Sequence, residues 1–366
     1  MDAIQVYIIV RSRDAVRCQE ISRRTERQIM LLTCKIRHSY DFDDELAKAK
    51  QVAQFAIDNR VQSTKHIKHI GLKSVIANQI LRKYSRNRKA KIARRVKLTL
   101  PQQGIKQDGT IVRIPSLGVD FDTWKSLGEI KQVEADSQFF YVTYRVDVPP
   151  LTKPTAWIGI DVNATKHIAV AALPTGKVIK LGKQAPHIHQ KYKAIRKRLQ
   201  SKGKYGAVKK IKNRESRIIK DINHKISRKL VNVAQQTGCG LRLERLTGIR
   251  KNTKKYHKRG NHKLNSWSFY QLQQFIGYKA ELSGVAVEYI DASYTSQRCS
   301  RCASLGERVN KSFECPSCGH VDHADVNAAF NIGQSLGERD SSEGSTDTPQ
   351  TATALALSAD RRTSLL

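Results

Sequence analysis

Apolar positions fall into different periods along the chain, and they predict its elements. Leu31-Leu32-Thr33-Cys34-Lys35-Ile36 reads as a strand. Asp41, Asp43 and Asp44 then open a helix with Leu46, Ala49, Ala53, Ala56 and Ile57 on one face. A second helix is expected from Ser74, carrying Val75, Ile76, Ile80 and Leu81 and continuing into the basic run Arg82 to Lys89. From Leu98 the texture changes to short strands and turns, with Gly104, Asp108-Gly109, Pro115 and Gly118. Phe140, Val142, Tyr144, Val146 and Val148 alternate with Tyr141, Thr143, Arg145 and Asp147, the pattern of a half-buried strand. Pro149-Pro150 and Pro154 mark a domain boundary.

The second half starts with Trp157-Ile158-Gly159-Ile160-Asp161-Val162, a strand ending in an acid. His167 to Leu173 and Val178 to Leu181 make two more strands around the turn Pro174-Thr175-Gly176. Three consecutive strands with the acid on the first resemble the start of an RNase H-like sheet. Residues 189–230 are long, basic and helical, and Gly203 and Gly206 are expected to split them into two helices. Leu241 to Leu246 is a short strand with Glu244 near its end, and Lys251 to Lys263 is a basic loop. Trp267, Phe269, Tyr270, Leu272, Phe275, Ile276 and Tyr278 form an aromatic-rich helix, most of them read as core. Val285 to Ile290 is a further strand, and beyond Gly333 the chain turns to Ser, Thr, Glu and small residues, so 337–366 is expected to be a disordered tail.

Charge changes the picture. The 366 residues hold 66 Lys and Arg against 32 Asp and Glu, a formal net charge of +34. Self-repulsion makes that excess costly, so a polyanionic partner is implied, and nucleic acid leads over an anionic membrane. No apolar run approaches the roughly 20 residues of a spanning helix. The run Ile4 to Val10 follows Asp2 without a basic n-region, unlike a signal peptide. Residues 1–29 show no clear periodicity, and Met30, where the clean pattern starts, is expected to be the true start.

Two pieces of chemistry share the stretch from Cys299 to Ile332. Cys299-x2-Cys302, twelve residues, then Cys315-x2-Cys318 is the pattern of a four-thiolate zinc ribbon, with Gly319 suited to a turn of positive φ. Two disulfides are the alternative, disfavoured in a basic chain without a secretion signal. Cys18, Cys34 and Cys239 are scattered and read as reduced thiols. Asp325 falls near the start of a helix carrying Ala328, Ala329 and Ile332, where a carboxylate could equally be a cap. Together with Asp161 and Glu244 at strand ends, however, it can complete a carboxylate cluster at one sheet edge. Two-metal phosphodiester cleavage needs such a cluster, and its hard oxygen ligands suit Mg²⁺ or Mn²⁺. The four-cysteine zinc, with no open position, would be structural.

These residues carry a resemblance. Gly159-Ile160-Asp161, Leu243-Glu244-Arg245-Leu246, Trp267-Ser268-Phe269-Tyr270-Gln271-Leu272, Tyr294-Thr295-Ser296-Gln297, the four cysteines and Asp325-Val326-Asn327-Ala328-Ala329 occur in one order across about 156–333. In that order the chain resembles the TnpB proteins, the OrfB products of prokaryotic insertion sequences, which are related to type V CRISPR effectors. Asn163 stands where members often have glycine. The resemblance implies an α/β and α+β multidomain protein. A RuvC-like nuclease domain would occupy 155–298 and 319–336, with the zinc ribbon at 299–318 inserted before its last helix. A β-rich wedge domain at 30–150 would precede it, interrupted by a helical recognition lobe at about 41–96, after an unassigned extension at 1–29. Asp161, Glu244 and Asp325 carry over as the metal-binding triad. The implied activity is RNA-guided cleavage of double-stranded DNA next to a short transposon-associated motif. The implied partners are a guide RNA from the element's own end and a double-stranded DNA target, with no membrane, in the cytoplasm of a prokaryote. A nuclease-dead RNA-guided repressor is the second reading, and the three retained acids argue against it. A transposase acting directly on DNA is the third, and no additional nucleophile supports it.

Overall fold

The computed structural model describes residues 29–162, 166–211, 213–245, 269–291 and 295–334. The extension at 1–28, Asn163, Leu246, the basic loop Lys251 to Lys263, Trp267, Ser268, Tyr294 and the tail lie outside the described residues.

The first half is built on a four-stranded antiparallel sheet. Its strands are β1 (Ile29–Arg37), β2 (Leu98–Pro101), β6 (Ile130–Ala135) and β7 (Phe139–Asp147), in the order β1-β7-β6-β2. The period-two pattern is realised on both central faces: Leu32, Cys34 and Ile36 are buried on β1, and Phe140, Val142 and Tyr144 on β7. A second sheet, in order β3 (Lys106–Asp108), β4 (Ile111–Ile114) and β5 (Val119–Asp122), lies in the excursion between β2 and β6.

Two helices, α1 (Asp43–Asn59) and α2 (Ser74–Ser85), leave and rejoin this sheet between β1 and β2. Ala49, Val52, Ala53, Ala56 and Ile57 of α1 and Ile76, Ala77, Ile80 and Leu81 of α2 are buried in the same core as the sheet. The second helix stops at Ser85 instead of running on through Lys89. Arg86, Arg88 and Lys89 add like charges and no apolar residue to continue the buried stripe. Arg60, in left-handed conformation after α1, instead sends Nη1 to the Asn87 carbonyl at 2.9 Å and closes the end of α2.

The second half is a five-stranded mixed sheet ordered β10-β9-β8-β11-β12. Strands β8 (Trp157–Val162), β9 (Ala169–Ala172) and β10 (Val178–Leu181) are antiparallel neighbours. Strand β11 (Gly240–Glu244) runs parallel to β8 and to β12 (Val287–Ile290). That is the RNase H-like arrangement expected from the first three strands. The connecting segment forms three helices where two were expected: α3 (Gln184–Ser201), α4 (Tyr205–Ile211) and α5 (Arg214–Thr237). Gly203, at φ +66, ends the first, while Gly206 is accommodated inside the short second one. Ile219, Ile222, Ile226, Leu230 and Ala234 form the buried stripe of α5.

Helix α6 (Phe269–Leu282) joins the two halves. Leu272, Ile276 and Ala280 belong to the core of the second sheet, whereas Phe275 and Tyr278 belong to that of the first half. A small antiparallel sheet follows, β13 (Glu307–Val309), β14 (Ser312–Glu314) and β15 (Val321–His323), and leads directly into α7 (Ala324–Gln334). Among the described residues no helix is long and apolar enough to cross a membrane.

Candidate active site

Position in the sheet sets Glu244 beside Asp161, and the charges of both Glu244 and Asp325 act on Asp161. Leu243 pairs in parallel register with Ile160, so the next residues, Glu244 and Asp161, end adjacent central strands side by side. Asp161 shares a strand face with Gly159 two residues earlier. On that face a Cβ at Gly159 would lie 2.0 Å from the Ala329 carbonyl oxygen and 2.2 Å from the Gly333 nitrogen, both in α7. Glycine therefore lets the last helix rest directly on β8. Arg242 stacks on Trp157 and donates to the Gly333 carbonyl at 2.6 Å, fixing the far end of the same helix. Asp325, at the second position of α7, is thereby laid over the ends of β8 and β11.

The remaining motif residues secure this packing. Asn327 and Asn331 of α7 each donate to the Arg298 carbonyl at 2.7 Å, and Asn331 also to that of Thr295. The Thr295 hydroxyl donates to Oε1 of Glu244, and Gln273 Nε2 donates to the Glu244 carbonyl at 2.7 Å. The Thr295-Ser296-Gln297 segment and the asparagines of the last helix thus clamp one of the acids and the entry to the ribbon.

The electrostatics are those of crowded carboxylates. Burial, then the charges of Glu244 and Asp325, push Asp161 up to about 8, against the opposing pull of Lys311 and Arg308. Burial also raises Glu244; the Thr295 hydroxyl and Arg308 oppose this and the charge of Asp291 adds to it. Asp325 is only 4% exposed. Its carboxylate is held by cations from the ribbon: Lys311 Nζ lies 2.7 Å from both oxygens, and Arg308 Nη2 3.7 Å from one. No helix N–H group among the described residues takes it, so the capping alternative is not realised; the Asp325 N–H itself goes to His323 Nδ1 at 3.3 Å.

Asp161, whose carboxyl is raised by burial and by the charges of Glu244 and Asp325, would be balanced most simply by divalent cations. Asp161, Glu244 and Asp325 offer only oxygen donors, which suits Mg²⁺ or Mn²⁺. Lys311, Arg308 and Asp291 carried no signal in the sequence as parts of this site. Arg308 and Lys311 lie in the β13–β14 hairpin, and only its folding against α7 brings them to Asp325.

The four cysteines form a separate cluster whose sulfurs all lie within 4.8 Å of one another. Cys299 and Cys318 sulfurs are 3.7 Å apart and those of Cys302 and Cys315 3.5 Å, far longer than a disulfide. Sulfurs bound at about 2.3 Å around one tetrahedral zinc would be separated by about 3.8 Å, so the residues fit that ion. Gly319 takes the expected positive φ, +66. The Ser304 backbone and hydroxyl pull the Cys302 thiol down, while the neighbouring thiols push that of Cys318 up, so the four compete for protons that a metal would displace. Cys34 and Cys239 are buried free thiols, as expected of scattered cysteines, while Cys18 lies outside the described residues.

The family described as "Cas12f1-like, TNB domain" matches residues 269–332, from the start of α6 through the ribbon to α7. A CRISPR-associated endodeoxyribonuclease Cas12f1 of Sulfoacidibacillus thermotolerans is 45% identical over 114 residues, 30% of this chain and 25% of that protein. A TnpB-like protein of Methanocaldococcus jannaschii is 34% identical over 185 residues, 47% of this chain and 66% of that one. The chain thus spans a quarter and just under two thirds of the lengths of these relatives. A solved Cas12f1–sgRNA–target DNA complex shares the fold at a TM-score of 0.56 and 15% identity, covering 80% of this chain and 82% of that one.

Proposed function

We propose that this chain, a relative of the TnpB proteins and of the type V effectors, is an RNA-guided DNA endonuclease of a transposable element. The observation that carries this reading is the convergence of Asp161, Glu244 and Asp325 at the ends of β8 and β11 and the start of α7, with Asp161 pushed up to about 8. Structural acids are seldom assembled in this way, because like charges in a half-buried site destabilise the fold unless cations or protons offset them.

Asp161, Glu244 and Asp325 would hold two Mg²⁺ or Mn²⁺ ions, which supply an activated water and charge stabilisation on the leaving oxygen. The chain's own residues do the positioning. Thr295 and Gln273 fix Glu244, and the asparagines of α7 fix the helix that carries Asp325. Lys311 and Arg308 bring positive charge to the edge of the site, where a scissile phosphate would enter. A zinc held by Cys299, Cys302, Cys315 and Cys318 would anchor the hairpin that presents them.

The specificity would come from a guide. A formal charge of +34 exceeds what a short DNA contact requires, and a structured RNA with its heteroduplex would neutralise several basic surfaces together. Base pairing then reads sequence, while the protein reads backbone and a short adjacent motif of the element. The wedge sheet of the first half, with the helices α1 and α2 set into it, would hold the guide and that motif. Sequencing the RNA that copurifies with the full chain tests this directly. The expected result is a transcript from the element's own end, whose altered 3′ segment redirects Mg²⁺-dependent cutting. Equal, equally specific cutting by RNA-free protein would replace the guided reading with a direct DNA-reading nuclease.

A further inference from the structure

Away from the three acids, a cleft of about 600 Å³ opens between α5 and α6. Its lining includes His224, Lys225, Arg228, Lys229 and Asn232 from α5 and Lys279 from α6, and no carboxylate. Lys225 is offset by Asp221 one turn away at 2.9 Å. Lys279 has no acidic partner among the described residues. It is 4% exposed, and its ammonium donates to the His224 carbonyl at 2.6 Å and the Ser227 hydroxyl at 2.7 Å. Those two acceptors leave one N–H and the whole charge uncompensated. The rings of Phe275 and Tyr278 lie 6.0 and 5.9 Å away, at the outer limit of cation–π contact. Burial, then Arg228, lowers Lys279 only to about 8, so it stays charged near neutral pH.

The imidazole beside it is also incomplete. His224 stacks on Phe275 with centroids 3.9 Å apart, and burial, then Lys279, pushes it down to about 4, so the ring is neutral. Nδ1 is 3.4 Å from the Tyr278 hydroxyl, while Nε2 is buried without a partner among the described residues. In the tautomer where the tyrosine donates to Nδ1, the ring proton sits on Nε2 as a donor lacking an acceptor among the described residues. Lys279, a buried cation without an acidic partner among the described residues, and His224, with an unsatisfied ring nitrogen, both line this cleft, and together they call for an anionic ligand.

We propose that this cleft is a phosphodiester-binding site that anchors a nucleic-acid strand at a fixed distance from the acid cluster. The proposal rests on the nuclease reading above. Lys279 stands six residues beyond Gln273, the residue bonded to Glu244, or about 9 Å along one helix. A strand gripped here would be held within a few nucleotides of the site of cutting. Cleft size agrees with a nucleotide-sized ligand.

The test uses the full chain freed of nucleic acid and labelled single-stranded RNA and DNA of one sequence, titrated at several salt concentrations. Lys279→Met keeps the shape and removes the buried charge; Arg228→Gln alters an exposed position; Lys106→Met, exposed on β3, controls for loss of any cation. Expected for Lys279→Met is a Kd weakened about tenfold with a salt slope lower by about 1, and no fall in Tm. Arg228→Gln should weaken binding less, in the same direction. Loss with RNA alone identifies the guide as occupant, loss with DNA alone the target; either supports the site. Wild-type binding that both variants match to within about twofold of the Lys106→Met control overturns the cleft alone. If Lys279→Met fails to fold, Arg228→Gln at the control's affinity overturns it. Wild-type protein that binds neither polymer overturns the nuclease reading with it.

Discussion

The four-cysteine cluster and the three acids of this chain are built on opposite terms. The four cysteines sit on two local knuckles, with sulfurs 3.5 and 3.7 Å apart across the pairs, near the edge length of a tetrahedral zinc site. They are arranged for one ion, and that ion would complete the fold around them. The three acids come from β8, β11 and α7 and are held against their own repulsion, which the fold moderates with Lys311 and Arg308. One cluster stabilises the hairpin; the other costs stability and is kept in place by the hairpin. A site that the rest of the molecule holds together at a cost is the one expected to carry chemistry.

The largest expected effect separates the two outright. Asp161→Ala, Glu244→Ala or Asp325→Ala should each abolish Mg²⁺-dependent DNA cleavage while zinc content and nucleic-acid binding persist. Near-normal cutting by any one of them removes that acid from the metal site. Next comes the ribbon. Cys302→Ser or Cys315→Ser should lose the single zinc by elemental analysis and make 299–323 protease-sensitive, since binding free energy there is folding free energy. Well-folded, active protein without zinc would erase the contrast.

The third effect has a pH sign. Asp161 binds its proton more tightly folded than unfolded, so between about pH 4 and 8 the folded chain keeps a proton that the unfolded chain has lost. Stability then falls as pH rises through that window. In chelator, Asp161→Asn escapes this loss: its unfolding free energy should match wild type near pH 4 and exceed it increasingly toward pH 8, by an amount on the order of a few kcal/mol. A gap that does not change with pH would deny the crowding. The smallest effect concerns Lys311, whose ammonium spans both oxygens of Asp325. Removing that competing charge in Lys311→Met should tighten Mn²⁺ binding by about three- to tenfold in calorimetry. Unchanged or weaker binding would show that the lysine supports the ion instead of displacing it.

Local pattern determined much of this protein. The CxxC pairs and Gly319 specify their knuckles within a few residues, so the cysteine cluster was legible without any fold. Alternation specified β7, short apolar runs specified β1, β8 and β10, and the apolar stripe of α1 specified that helix, because each signal lies within one element. Some expectations missed by small margins where competing local terms decide: α2 ends at Ser85 under charge repulsion, and Gly206 is tolerated inside a helix. Asp161, Glu244 and Asp325 could be singled out by their places at element ends and by resemblance, but not shown to meet. Their meeting depends on the parallel register of β8 and β11 and on the bare backbone at Gly159, which lets α7 lie against the strand. The same holds for the pairing of β1 with β7 across more than a hundred residues, for Lys311 over Asp325, and for Lys279 buried beside His224 without a counter-charge. Charge, burial and hydrogen-bond supply at a residue are properties of what surrounds it in space. Only the tertiary structure brings those neighbours together.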